Sequence, residues 1–207
     1  MTRALTTFAY GPQAALLDVS LPTFNWYAER HGYDLYVPSK TRFAGVSRHH
    51  PWCKIPLLIS LMESGYDEVL WLDADVVVCR YDKDIFDDAS DAPMSVVVHR
   101  TDDGDVPNTG VWVVRKSCLP FLRSLWSLDR FTRSACWWEQ AAVIAALGGD
   151  PDATPVAVPA GPAWGQLPYE WNPHRNDVRG IPDDCRFFHA TMFPDRRAAM
   201  LDRARSP

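Results

Sequence analysis

The first third of the chain switches between two hydrophobic periods. "ALTTFAYG" (residues 4–11) mixes β-branched and aromatic residues and stops at a glycine, which predicts a short strand. From Pro12 to Arg30 the apolar positions Leu16, Leu17, Val19, Phe24 and Tyr27 fall at near-helical intervals, so a helix is expected there, broken or kinked at Pro22. "YDLYVPS" predicts a second strand. "KIPLLISLMESG" predicts a helix with Pro56 in its first turn and Gly65 at its end, and "EVLWLD" predicts a third strand directly after it. Farther on, strands are expected near "MSVVVH" and "GVWVVRK", and helices near "PFLRSLWSL" and "WWEQAAVIAAL". A Pro/Gly-rich region from Gly148 to Pro173 holds short extended pieces such as "PVAVPA". A last strand near "CRFFHA" precedes the C-terminal stretch.

Strand, helix, strand, helix, strand is the order of βαβ units, so the expected class is α/β with a Rossmann-like, mixed but mostly parallel sheet flanked by helices. Ligands of such sheets lie beyond the carboxyl ends of the strands. The 207 residues fit one domain over residues 1–207, with about 195–207 as a tail. A net charge of −5 argues against a general nucleic-acid binder, which needs a basic surface to displace counterions. Five cysteines without a CxxC pair (Cys53, Cys79, Cys118, Cys136 and Cys185) are poor material for a zinc site or a disulfide scaffold and read as reduced thiols of a cytoplasmic protein. The N-terminus lacks a signal-peptide core, and no stretch approaches the roughly 20 apolar residues of a membrane span. "DRRAAMLDRARSP" reads either as a solvated tail or as a basic helix in weak peripheral contact with an anionic membrane.

The chemistry concentrates in "EVLWLDADVVV". Asp73 and Asp75 flank Ala74 at the end of an apolar strand, and in an extended segment residues i and i+2 project to one side. Two carboxylates that close are unfavourable in a partly buried place unless a proton or a cation lies between them. Mg²⁺ or Mn²⁺ suits such hard oxygen ligands, with positions left over for a substrate phosphate. The plainer reading is an Asp-x-Asp that ends a strand and starts a solvated turn.

A hydrophobic strand ending in Asp-x-Asp resembles two enzyme classes: nucleotide-sugar transferases of the GT-A fold and haloacid-dehalogenase-like phosphatases. The phosphatase nucleophile lies on the first strand, whereas two strands and two helices are expected ahead of Asp73. Four further stretches, in order over residues 50–193, resemble the GT-A glycosyltransferases related to glycogenin, the lipopolysaccharide galactosyltransferases and the galactosyl, mannosyl and xylosyl transferases. "NTGVWVVRKS" resembles the family's Asn-x-Gly strand, and "WWEQAAVIAAL" its Asp-Gln-Asp helix start. "LPYEWNPH" resembles Leu-Pro-x-x-Trp-Asn, and "FFHAT" the late strand whose His completes the metal site.

The resemblance implies a metal-dependent transfer of a hexose or pentose, with retention, from a UDP- or GDP-sugar to a carbohydrate or other hydroxyl acceptor. It assigns Asp73, Asp75 and His189 to the metal, the nitrogen donor favouring Mn²⁺ over Mg²⁺. Thr7, Phe8 and Tyr10 fall where base and ribose bind; Lys54 and Ala74 face the donor. Gln140 falls by the anomeric carbon and Glu139 by the sugar hydroxyls. Asn108 either bonds a sugar hydroxyl or shapes the turn before Gly110, and the acidic loop "TDDGD" either supplies a general base for an inverting transfer through Asp102, Asp103 or Asp105 or is simply solvated. Trp171, Asn172 and Trp138 are the sugar or acceptor contacts. Two departures stand out: Ala141 occupies the third acidic position, and "ATMFPDRR" lacks the usual diphosphate lysine, leaving Arg196 or Arg197 to supply that charge. The alternatives are a phosphatase with Asp73 as nucleophile and a nucleotide-sugar-binding module with a decayed site.

Overall fold

A computed structural model describes residues 1–39, 48–128 and 137–204. Cys136 lies outside the described residues, as does the end of the tail. The three N-terminal strands form as their pattern requires: β1 (Arg3–Thr6), β2 (Asp34–Tyr36) and β3 (Glu68–Leu72). Between them run α1 (Leu17–His31) and α2 (Lys54–Glu63). Pro22 does not break α1, which is continuous from Leu17 to His31. Its ring lies on the exposed face, where the Asp18 carbonyl deprived of a partner is accessible to water. The helix ends at Gly32, whose φ of 73° is the left-handed conformation glycine adopts without steric cost.

After β3 come β4 (Val76–Val78), β5 (Met94–Thr101), β6 (Gly104–Arg115), α3 (Leu119–Trp126), α4 (Trp138–Ala146), β7 (Gly165–Gln166), β8 (Phe187–His189) and α5 (Arg196–Arg203). The main sheet has the order β2-β1-β3-β6-β5-β7. Strand β6 opposes both its neighbours, while the other pairings are parallel, so a single strand runs against the rest. The acidic segment expected as a loop is the tight turn of the β5–β6 hairpin, and Asn108 is a strand residue. "PVAVPA" contributes only an isolated bridge from Val156 to Gly104.

All five residues of β3 are buried. Val69 and Trp71 face a core built with α2, α3 and α4, whereas Leu70 and Leu72 face a second core containing Phe24 and Tyr27 of α1. A strand covered on both faces needs the continuous apolar run seen in the sequence, and each fully buried aliphatic side chain contributes about 1.5–3 kcal/mol. This packing fixes the end of β3, and hence the start of the Asp-Ala-Asp segment. Strands β4 and β8 pair separately, antiparallel, with Val76 opposite His189. The expected tail is a docked helix: Asp195 caps α5 by accepting from the Ala198 amide at 2.9 Å, and Met200 is buried beside Leu16, Val19 and Phe188. Among the described residues no helix is long and apolar enough to cross a membrane.

Candidate functional site

Asp73 and Asp75 converge through a turn, not through the extended alternation expected from their spacing. The Asp73 amide donates to the Gly110 carbonyl at 2.8 Å, and the Val76 amide returns to the Asp73 carbonyl at 3.0 Å. The chain therefore folds over Ala74 between β3 and β4. The β4–β8 pairing, extended by the Ala190 amide donating to the Asp75 carbonyl at 2.8 Å, brings His189 alongside. One ligand atom from each of Asp73, Asp75 and His189 lies within 4.8 Å of the others. Two carboxylates and one imidazole at that spread form a donor set that could hold a divalent metal ion.

Each carboxylate is also balanced by a fixed cation. Lys54, only 3 % exposed, donates to Asp73 Oδ1 at 3.1 Å and to the Thr109 carbonyl at 3.2 Å, and pairs with Glu139 Oε1 at 2.6 Å. Burial works to lower the pKa of its ammonium, but Asp73 and Glu139 outweigh it and the net shift is upward, so Lys54 stays charged. Trp71 Nε1 adds a bond to Asp73 Oδ1 at 2.6 Å. Asp75 lies 3.2 Å from His189 Nε2 and 3.1 Å from an Arg196 guanidinium nitrogen. Burial would raise its pKa; His189 and Arg196 reverse this and hold the carboxyl below its ordinary range.

A chain of hydrogen bonds joins three of the sequence motifs. Asn108 Oδ1 accepts from the Gly110 amide and from Asn172 Nδ2, both at 2.9 Å. Asn172 thus turns its Oδ1 to accept from His189 Nδ1 at 3.0 Å, which fixes the ring with Nε2 as the nitrogen facing Asp75. Gly110 packs under the imidazole, where a Cβ would lie 2.3 Å from His189 Cε1. The glycine of Asn-x-Gly is required by the histidine.

These groups line a cavity of about 820 Å³ at the carboxyl ends of the strands. At one side Tyr10 and His50 lie with ring centroids 4.1 Å apart. At the other, His99 bonds the Asn172 carbonyl at 2.6 Å and lies face to face with His174, 4.7 Å between centroids. Burial, then the neighbouring His174, push His99 down to about 3; burial chiefly pushes His174 down to about 4, so both rings are neutral at pH 7. Trp137, Trp138 and Met192 adopt positive φ (58°, 43° and 65°), and all three border the cavity. Such strain is held by surrounding structure and concentrates at functional sites.

The residues nominated from the sequence separate into three groups. Phe8, Tyr10, Lys54, Asp73, Ala74, Asp75, Asn108, Trp138, Glu139, Gln140 and His189 line the cavity. Asn172 lies behind it as the brace of His189, and Thr7 is fully buried and does not line it. Trp171 is not at the cavity: it is fully buried against Phe187 and donates from Nε1 to Asp88 at 2.9 Å. Glu139 is engaged by Lys54 and by Thr109 Oγ1 at 2.9 Å, and Gln140 Oε1 accepts from the Thr109 amide at 3.3 Å. Of the two tail arginines, Arg196 reaches the site while Arg197 is exposed. Ala141 belongs to the core, so its place in the motif points away from the ligands. Thr109, Trp71, His99 and His174 are additional members, and nothing in their local sequence distinguishes them from ordinary strand or loop residues.

No family model matches the chain, and no curated protein matches it. Solved structures do. A glycosyltransferase involved in the glycosylation of the major capsid of PBCV-1 superposes with a TM-score of 0.70 over 98 % of both chains at 19 % identity. The glycosyltransferase GlyE of Streptococcus pneumoniae TIGR4 gives 0.56 at 13 % identity, with 91 % of this chain covering 55 % of that one. The galactosyltransferase LgtC, solved with donor and acceptor sugar analogs, gives 0.52 at 14 % identity over 90 % of this chain and 86 % of its own. At these identities the likeness establishes architecture, and the chain has the GT-A fold of these glycosyltransferases.

Proposed function

We propose that this protein is a metal-dependent glycosyltransferase that moves a sugar from a nucleoside-diphosphate donor to a hydroxyl acceptor with retention. The observation that carries this reading is the convergence of Asp73, Asp75 and His189 on one point of the cavity. Mn²⁺ held by these three residues would supply Lewis-acid stabilisation of the departing diphosphate.

The protein's own groups do the rest. Arg196, in the first turn of α5, is the guanidinium that pairs with diphosphate oxygens, taking the part of the missing lysine. Lys54 holds Asp73 and Glu139 in place and sets a fixed positive charge between them. Tyr10 and His50 offer flat faces for the base. Asn108, whose amide nitrogen is not engaged in its two bonds, donates to a sugar hydroxyl, and Gln140 stands by the anomeric carbon. Trp138, 41 % exposed at the rim, supplies an apolar face to the sugar or acceptor. The chain acts as one domain, in the cytoplasm.

The phosphatase alternative fits poorly with an Asp73 at the end of the third strand of a glycosyltransferase fold. A decayed site fits poorly with a complete donor set and with Ala141 in the core. The test is calorimetric binding of UDP and GDP with and without Mn²⁺, followed by donor-sugar hydrolysis. Metal-dependent nucleotide binding that disappears in Asp75→Asn is expected; metal-independent binding, or none with any donor, overturns the reading.

A further inference from the structure

The β4–β8 ribbon has a second end, remote from His189. Beyond Val78 the Cys79 amide donates to the Arg186 carbonyl at 2.8 Å, and the chain turns at Pro182–Cys185 before entering β8. This brings Cys185 Sγ to 3.9 Å from Cys79 Sγ, van der Waals contact between two sulfurs 106 residues apart in sequence. Cys185 is buried and Cys79 partly exposed; together with Arg80, Asp183, Asp184 and Arg203 they border a separate cavity of about 240 Å³. A small reagent can therefore reach the pair. Among the described residues this group is not a metal cluster, and the other two cysteines, Cys53 and Cys118, are buried, their thiols pushed up by burial to about 11 and about 12.

We propose that Cys79 and Cys185 are an oxidative modification site, closing to an intramolecular disulfide that staples β4 to β8. The thiolate of Cys79, the partly exposed member of the pair, attacks one sulfur of a low-molecular-weight disulfide such as oxidised glutathione. The S–S bond of the oxidant breaks and one glutathione thiolate leaves. Cys185 loses its proton and attacks the mixed disulfide at Cys79, expelling the second glutathione, so two electrons and two protons pass to the oxidant. Closing the sulfurs from 3.9 Å to the roughly 2.05 Å of a disulfide takes side-chain rotation and a small approach of the strand ends. The bond encloses about half the chain, the loop length at which cross-linking constrains the unfolded state strongly. It joins β8, which carries His189, to β4, which directly follows Asp75, and it does not depend on glycosyl transfer.

The full-length protein is incubated with oxidised glutathione, quenched by alkylation and analysed by intact mass and non-reducing peptide mapping. Loss of two hydrogen masses, a cross-linked peptide containing Cys79 and Cys185, and two fewer alkylated thiols are expected. Oxidation should raise the thermal midpoint by roughly 5–15 °C, reversed by dithiothreitol and absent in Cys79→Ser, the partly exposed member whose replacement leaves the core intact. Five alkylated thiols after oxidation, a stable glutathione adduct on Cys79 alone, or a link joining other cysteines would each overturn the proposal.

Discussion

The two halves of the site are held by different forces. Lys54 and Asp73 come from the first half, the layer in which β3 is buried on both faces and α2 packs its apolar side against it. Asp75, His189 and Asn172 come from the second half, the short β4–β8 ribbon and the irregular segments beside it, where hydrogen bonds between distant residues fix the positions. Apolar packing is non-directional and tolerates small shifts; hydrogen bonds set atom positions and tautomers. Lesions in the first half should therefore appear as lost stability, and lesions in the second as lost ligand affinity in a protein that still folds.

Four substitutions test that division, in order of decreasing effect. Lys54→Met leaves Glu139 as a buried carboxylate without its cation and should cost about 3–5 kcal/mol in urea denaturation, before any ligand is added. Asp75→Asn removes one charged ligand atom and should weaken Mn²⁺ binding at least ~100-fold, about 2.8 kcal/mol, by electron paramagnetic resonance titration. If it unfolds the protein instead, the contrast between the halves fails.

Asn172→Ala should leave a folded protein whose Mn²⁺ affinity drops roughly 10–100-fold, because His189 loses the partner that orients its ring. An affinity equal to wild type would remove Asn172 from the site. The smallest effect is a pH dependence. His99 is neutral in the fold, with a pKa of about 3, and binds a proton readily only when unfolded, so its contribution is present above the ordinary pKa of His and lost as pH falls toward 3. Between pH 7 and 5 the wild type should lose about 1–2 kcal/mol more stability than His99→Gln.

Particular residues show how far the sequence reaches. The apolar run ahead of Asp73 marks β3 and its carboxyl end, because a strand buried on both faces has no other composition available to it. Asp73, Asp75 and His189 were legible through type and order along the chain. Trp171 and Trp138 were not separable: both are tryptophans beside candidate motifs, yet one is a core residue bonded to Asp88 and the other stands 41 % exposed at the rim. Pro22 reads as a helix breaker, but the helix passes through it on its wet face. The choice between Arg196 and Arg197 needed the orientation of a single helical turn.

By itself the sequence determined the alternation of strands and helices, the sheet rim as the place of the ligand, and the kinds of side chain gathered there. The alternation and the rim follow from local periodicity, which each segment carries within itself, and the side chains from their resemblance to the motifs of a known family. Tertiary structure alone decided that the two aspartates meet through a turn, that Asn108 and Asn172 orient His189, and that Cys79 touches Cys185. Each of these depends on the pairing register of segments tens of residues apart, and one residue of slip would turn every side chain on a strand to its other face.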